Sequence, residues 1–301
     1  MNRTILSIVA LALLAGAALM STIASAENLY TLASDGTLNK YDATTGALVN
    51  TSLISGLPNN IQGIAVSGSD LYVVSAGNWL VGSGGVGKYT TSGGVVNANL
   101  ISGPNAPVAV AVSGSYLYVA ESAVHRAIHK FTTSGALVTY GLVPDLYPDS
   151  TDQIAVSGSH LFAVIDYGEI SEYDATTGAV INANLASGNS IAVSGSDLFV
   201  GNGSTIAEYD ATTGAVINTN LASGSLIAVS GSDLFVGHNG TIGVYDATTG
   251  AVKNASLFSG LNGFVAVDED APVPEPLTLL AVGMGIAGLG GYIRRRRAAA
   301  K

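Results

Sequence analysis

Two phrases recur along this 301-residue chain, and their spacing limits what it can fold into. One phrase, Tyr-Asp-Ala-Thr-Thr-Gly, begins at Tyr41, Tyr173, Tyr209 and Tyr245, with degenerate copies at Tyr89 and Phe131. Successive starts lie 48, 42, 42, 36 and 36 residues apart. The other phrase, Ile-Ala-Val-Ser-Gly-Ser-x-Leu-aromatic, starts at Ile64, Val110, Ile154, Ile191 and Ile227, and Phe264 to Val267 forms a truncated sixth copy. Periods of this size belong to solenoids or propellers.

One unit shows the local plan. Ile191 to Val193, Leu198 to Val200, Thr205 to Tyr209 and Ala215 to Ile217 read as four short strands. Turn residues separate them: Ser194 to Asp197, Gly201 to Gly203, and Asp210 to Gly214. In the last turn an Asp carboxylate can accept backbone N–H groups, and Gly214 can take positive φ. Four strands in one short period is the content of a propeller blade. The repeat region is also offset. Asn28 to Tyr30 matches a second strand and Phe264 to Val267 a first strand, so the two ends together complete one blade. A ring uses that offset to remove open sheet edges. The expected fold is all-β, a six-bladed β-propeller over 27–270; a β-solenoid is the alternative.

Composition agrees with short strands and tight turns. Charged residues are 11% of the chain, glycine contributes 38 residues, and cysteine is absent, so no disulfide closes the fold. Residues 27–272 hold 5 basic and 20 acidic side chains, a net of −15. Such a surface repels nucleic acid.

The ends read as targeting segments. Arg3 and the apolar run Ile5 to Met20 lead to Ala24 and Ala26, which suit the small pockets of a signal peptidase, so residues 1–26 are expected to be a cleaved signal peptide. Residues 271–276 form a linker carrying Pro274, Glu275 and Pro276. Beyond it, residues 277–301 combine an apolar stretch, Leu277 to Ile293, with Arg294, Arg295, Arg296 and Arg297. As a helix the stretch would span roughly 26 Å, near the thickness of a bilayer core. The arginines would remain on the cytoplasmic side and leave the ring outside.

This tail resembles the PEP-CTERM sorting signal in the order of triplet, Gly-containing apolar segment (Gly283, Gly285, Gly288) and Arg cluster. The resemblance implies recognition by an exosortase-type processing enzyme near the triplet. It also implies a transient membrane anchor and a final place at the cell surface or in an exopolysaccharide or biofilm matrix. The third repeat, Val110 to Glu121 with His125-Arg126 and Lys130 to Gly135, resembles an NHL repeat; the others resemble NHL or YVTN-type repeats more loosely. Such rings include binding platforms, lactonases and lyases, so the likeness implies shape and not activity.

Chemistry-bearing residues are sparse. Tyr173 to Gly188 and Tyr209 to Gly224 are identical except for Ala183 and Thr219, which marks both as scaffold. A special site is expected in the irregular second to fourth units. Glu121, His125 and His129 are spaced by four, a metal face on a helix, but the repeat register puts Ile128 to Phe131 on a strand and removes that reading. Asp145, Asp149 and Asp152 share a Pro-rich loop with Tyr147; they could gather Ca2+ but lack a calcium-loop pattern, and a solvated loop is the plainer reading. Candidate ligand contacts are Trp79 in a Gly-rich insertion, His125 in its turn, and Tyr140 and Tyr147 in the loop from Tyr140 to Asp152. No catalytic residue, resident metal or cofactor is expected. The favoured reading is a non-enzymatic surface or matrix scaffold that binds exopolysaccharide or surface proteins. The alternative is a secreted, lactonase-like metal-dependent hydrolase or lyase, with Glu121, Asp166 and Glu169 as available acids.

Overall fold

A computed structural model describes residues 27–32, 37–54, 56–57, 60–77, 84–104, 106–122, 126–144, 146, 153–260 and 265–268. Ala24, Ala26, Pro274, Glu275, Pro276 and Arg294 to Arg297 lie outside the described residues. The chain divides into a unit ending at Glu269 and a second from Asp270 to Lys301. Among the described residues no helix is long and apolar enough to cross a membrane; the segment expected to do so is not among them.

The described strands form six four-stranded antiparallel sheets. The first blade contains β1 (Asn28–Leu32), β2 (Leu38–Asp42) and β3 (Leu48–Asn50). The second runs β4 (Ile61–Ser67), β5 (Asp70–Ser75), β6 (Gly85–Thr90) and β7 (Val95–Ser102). The third runs β8 (Pro107–Ser113), β9 (Tyr116–Glu121), β10 (Ile128–Thr132) and β11 (Leu137–Val143). The fourth holds β12 (Ile154–Ser157), β13 (His160–Ile165), β14 (Glu169–Asp174) and β15 (Val180–Ser187). The fifth holds β16 (Ser190–Ser194), β17 (Asp197–Gly201), β18 (Ile206–Asp210) and β19 (Val216–Ala222). The sixth holds β20 (Leu226–Ser230), β21 (Asp233–His238), β22 (Thr241–Asp246) and β23 (Val252–Ser259). The last strand, β24 (Val265–Val267), returns to pair with β1 as the innermost strand of the first blade.

That return settles ring against solenoid. Leu29, Tyr30 and Thr31 pair with Val267, Ala266 and Val265. Asp268 then clasps the start of the chain: its carboxylate accepts from the Asn28 backbone N–H, from Asn28 Nδ2 at 2.9 Å and from the Tyr30 hydroxyl at 3.3 Å. Burial and then the Asp268 charge push the Tyr30 phenol upward, so it stays a donor.

Buried apolar side chains lie between neighbouring blades. Among the described residues one cluster joins the sixth blade to the first through Leu29, Ala43, Phe235, Ile242, Val244, Leu257 and Val267. Five others join successive pairs. Second strands pack on both faces and read as unbroken apolar runs, as in Leu198 to Val200. The rim closes as well. Gly46 has φ +70, and a Cβ there would collide with the backbone carbonyl of Leu257 in the sixth blade.

Outer strands differ. In every blade the pairing of third with fourth strand slips through bulges. Within four of those bulges, Asn97, Asn182, Asn218 and Asn254 turn Oδ1 back to accept the backbone N–H two residues on. Bulging and self-capping blunt an exposed edge. These strands run longer than the sequence pattern suggests: β19 extends to Ala222, where Ala215 to Ile217 was expected.

Candidate functional site

The inner strands β4, β8, β12, β16, β20 and β24 enclose a central channel. Its wall carries Ile64, Val110, Ile154, Ile191, Ile227 and Val265, around a void of about 120 Å³. Gln62 and Gln153 stand at one mouth. Gln153 Oε1 accepts the Ile191 N–H at 2.9 Å and ties the fourth blade to the fifth. Ser-Gly turns, such as Ser113-Gly114 and Ser194-Gly195, frame the other mouth. Six aliphatic side chains thus face the void together with the amides of Gln62 and Gln153.

The meander of each blade sorts its connections. Turns joining first to second and third to fourth strands open on one face. The opposite face receives the connections between second and third strands and those between blades. Trp79 falls between β5 and β6, His125 between β9 and β10, and Tyr147 between β11 and β12. All three lie outside the described residues, but the strand ends flanking them open on this same face. Tyr140 corrects the sequence reading: it belongs to strand β11, not to a loop, and sits at the perimeter, 58% exposed.

Tyr140 stacks on His129 with ring centroids 4.3 Å apart. His129 is fully buried, and its Nε2 lies 2.8 Å from Glu121 Oε2. Its Nδ1 accepts the Gly141 N–H at 2.9 Å, so Nε2 carries the hydrogen donated to Glu121. The other Glu121 oxygen is buried with no hydrogen-bond partner among the described residues. The structure thus joins two of the three residues spaced by four, but across adjacent strands and as a structural pair. Among the described residues no three His, Asp or Glu side chains cluster as metal ligands.

On the opposite face the four Asp-Ala-Thr-Thr-Gly turns share one geometry. In the fifth blade Asp210 Oδ1 accepts the N–H groups of Thr212 and Thr213 and the Thr213 hydroxyl. These bonds favour the ionised carboxyl. Asp42, Asp174 and Asp210 are held below the usual carboxylate range by their threonines. Asp246 falls to about 2, chiefly through the Thr249 hydroxyl and N–H and with help from Lys253. A folded-state pKa below the unfolded value gives stability that is complete above the unfolded value and disappears as pH falls. Acid titration should therefore lower the urea midpoint, mostly between pH ~4 and ~2. A variant with Asp42, Asp174, Asp210 and Asp246 all changed to Asn should show a much flatter midpoint over that window, as urea melts at stepped pH would record.

One third-strand position divides the ring. In the first three blades it is Lys40, Lys88 or Lys130, paired with Tyr30, Tyr72 or Tyr118. In the last three it is Glu172, Glu208 or Val244, paired with Phe162, Phe199 or Phe235. Lys130 Nζ donates to the Ala175 carbonyl of the next blade at 2.8 Å, and burial lowers its pKa. Burial, then Asp197, raises Glu208. The sequence shows the same division: between Lys130 and Lys253 there are 12 acidic residues and no Lys or Arg.

Within that acidic sector, Asp166–Gly168 forms a turn between β13 and β14. Tyr167 there is 92% exposed and has φ 59, ψ 24. The left-handed region costs an L-residue roughly 1–2 kcal/mol, which Asn or Asp offsets with local bonds. The sixth blade places Asn239, φ 49, and Gly240 at the matching positions. Gly168, φ +92, is confined: a Cβ would meet the Gly188 carbonyl and Asn189 Oδ1, each at 3.0 Å. The Gly188 N–H also donates to the Gly168 carbonyl at 2.7 Å. In the sequence, only setting Asp166-Tyr167-Gly168 beside His238-Asn239-Gly240 exposes the exchange at Tyr167.

No protein-family model matches the chain. No curated protein matches it either. Among solved structures, apo AztD from Citrobacter koseri is 11% identical, covering 80% of this chain and 97% of its own, with TM-score 0.48. The WD40 β-propeller domain of Doa1 is 14% identical over 70% of this chain and 72% of its own, with TM-score 0.48. The computationally designed Ika8 protein is 16% identical over 76% and 73%, with TM-score 0.47. Likenesses this distant carry no functional argument. The chain's own strand order and closing contacts make it a six-bladed β-propeller, with one blade built from both ends of the repeat region.

Proposed function

We propose that the chain is an exported cell-surface or extracellular-matrix protein whose propeller serves as a binding or structural scaffold. The closed six-bladed ring, locked by β24 and the Asp268 contacts, carries this reading. It is a rigid frame that holds its connecting loops at the surface, where binding residues concentrate. The order of Pro274-Glu275-Pro276, apolar stretch and Arg294 to Arg297 supports export and sorting through the tail. Signal peptidase and an exosortase-type enzyme are the processing partners in this proposal, and exopolysaccharide or surface proteins are the final ones.

Replacing Pro274 and Pro276 by alanine should leave full-length chain in the inner-membrane fraction, while the wild type is released. Immunoblots of fractionated cells read the difference. Release of the variant at the normal rate would reduce the triplet to a spacer and remove the sorting part of the proposal.

A further inference from the structure

We infer that Asp197, Glu208 and Asp210, on one face of the fifth blade, form a binding site for a primary ammonium group supplied by a second molecule. The sixth blade shows what this place in a blade can hold. There Lys253 stands at the bulge of β23 and turns its Nζ onto the sheet. It donates to the Ser232 carbonyl at 2.8 Å, to the Ser232 hydroxyl at 3.2 Å and to Asp233 Oδ1, and it lies 3.3 Å from Asp246 Oδ2. Asp233 and Asp246 are cross-strand partners, and Asp197 and Asp210 pair in the same way in the fifth blade. Ser196 repeats Ser232: its carbonyl accepts the Ala211 N–H as that of Ser232 accepts the Ala247 N–H. The two blades differ at the bulge, where β19 carries an exposed Ile217 and β23 carries Lys253.

A second observation points to the same place. Glu208 stands where the sixth blade has Val244, two residues before Asp210 and so on the same face of its strand. It is 3% exposed, and its Oε2 has no hydrogen-bond partner among the described residues. Burial, then the Asp197 charge, raises its pKa, so the two carboxyls sense one another. Like charges at one place favour a cation between them. In other blades that cation is part of the chain: Lys88 pairs with Asp70 at 2.7 Å in the second, and His160 with Glu172 in the fourth. Among the described residues no Lys, Arg or His pairs with Asp197 or Glu208. Ammonium suits the site better than a metal. Its three hydrogens can divide among two carboxylates and the Ser196 carbonyl, as those of Lys253 do in the sixth blade. Asp210 Oδ1 is already held by its threonines, and no three described acids cluster as metal ligands.

Thermal melts of the full chain in detergent test the site. Butylammonium chloride at about 50 mM should raise the wild-type midpoint by about 2 °C over equimolar tetramethylammonium chloride, which has the charge but no N–H donor. Glu208→Val should lose most of that gain. Val244 occupies the matching position in the sixth blade, so this variant should melt no lower than wild type, and its lost response cannot come from misfolding. Ile217→Lys carries its own ammonium at the position of Lys253. It should melt about 1–3 °C above wild type without amine and gain nothing further from butylammonium. Equal responses in wild type and both variants would overturn the inference, as would the lack of any response in wild type. Stabilisation by calcium chloride and not by butylammonium, lost in Glu208→Val, would overturn it in favour of a metal site. Nα-acetyl-lysine methylamide separates the sources of the amine. A larger gain than with butylammonium assigns the site to a lysine of a polypeptide partner, and a smaller one assigns it to a free amine. The site needs neither export nor the tail, which the fractionation of the Pro274 and Pro276 variant tests apart.

Discussion

A chain ending at Gly260 should lose stability on the order of 5 kcal/mol relative to one ending at Asp270. The removed segment is short, but it contributes the inner strand of the first blade. Ala266 and Val267 leave the core, and the ladder to Leu29, Tyr30 and Thr31 disappears. The charge-assisted bonds from Asn28 and Tyr30 to Asp268 go with them. A domain is typically stable by only ~5–15 kcal/mol, so the truncated ring should be largely unfolded or melt far earlier. Urea melts followed by circular dichroism would show it. An unchanged midpoint would mean that the first blade holds without β24.

His129→Ala should cost roughly 3–5 kcal/mol, from buried hydrogen-bonding groups left without partners together with the cavity opened where the ring stood. The buried Glu121 side chain would lose its one described hydrogen-bond partner and face a cavity under Tyr140. The Gly141 N–H would also lose its acceptor. Replacing both residues by apolar ones, Glu121→Leu with His129→Phe, should recover much of that loss, since an apolar pair leaves no buried side-chain polar group without a partner. Thermal melts of the single and double variants decide the point. A single variant as stable as wild type would show that the pair contributes little.

The ring itself was legible in sequence because its determinants are local and repeated. Asp210 to Gly214 announces a turn whichever blade contains it, and Asn28 to Tyr30 with Phe264 to Val267 reveals the shared blade through its missing parts. What stayed hidden depends on register. Glu121 and His129 meet only because Ile128 pairs with Ala120 and His129 with Val119, a relation that spacing along the chain does not display. The strand position of Tyr140 is hidden because bulges lengthen the outer strands without changing their composition. The Tyr167 turn is hidden for another reason: a tyrosine beside a glycine looks ordinary until the backbone angle of its turn is known.

The pairing of β1 with β24 also orders events in time. About 240 residues separate Asn28 from Asp268, so this contact carries the largest loop-closure cost in the ring. Synthesis proceeds from the N-terminus, and β1 is among the first strands to emerge. It has β2 to pair with, but its inner edge stays unoccupied until β24 follows. The blade begun first is therefore finished last, and the ring cannot close until the end of the repeat region has been made.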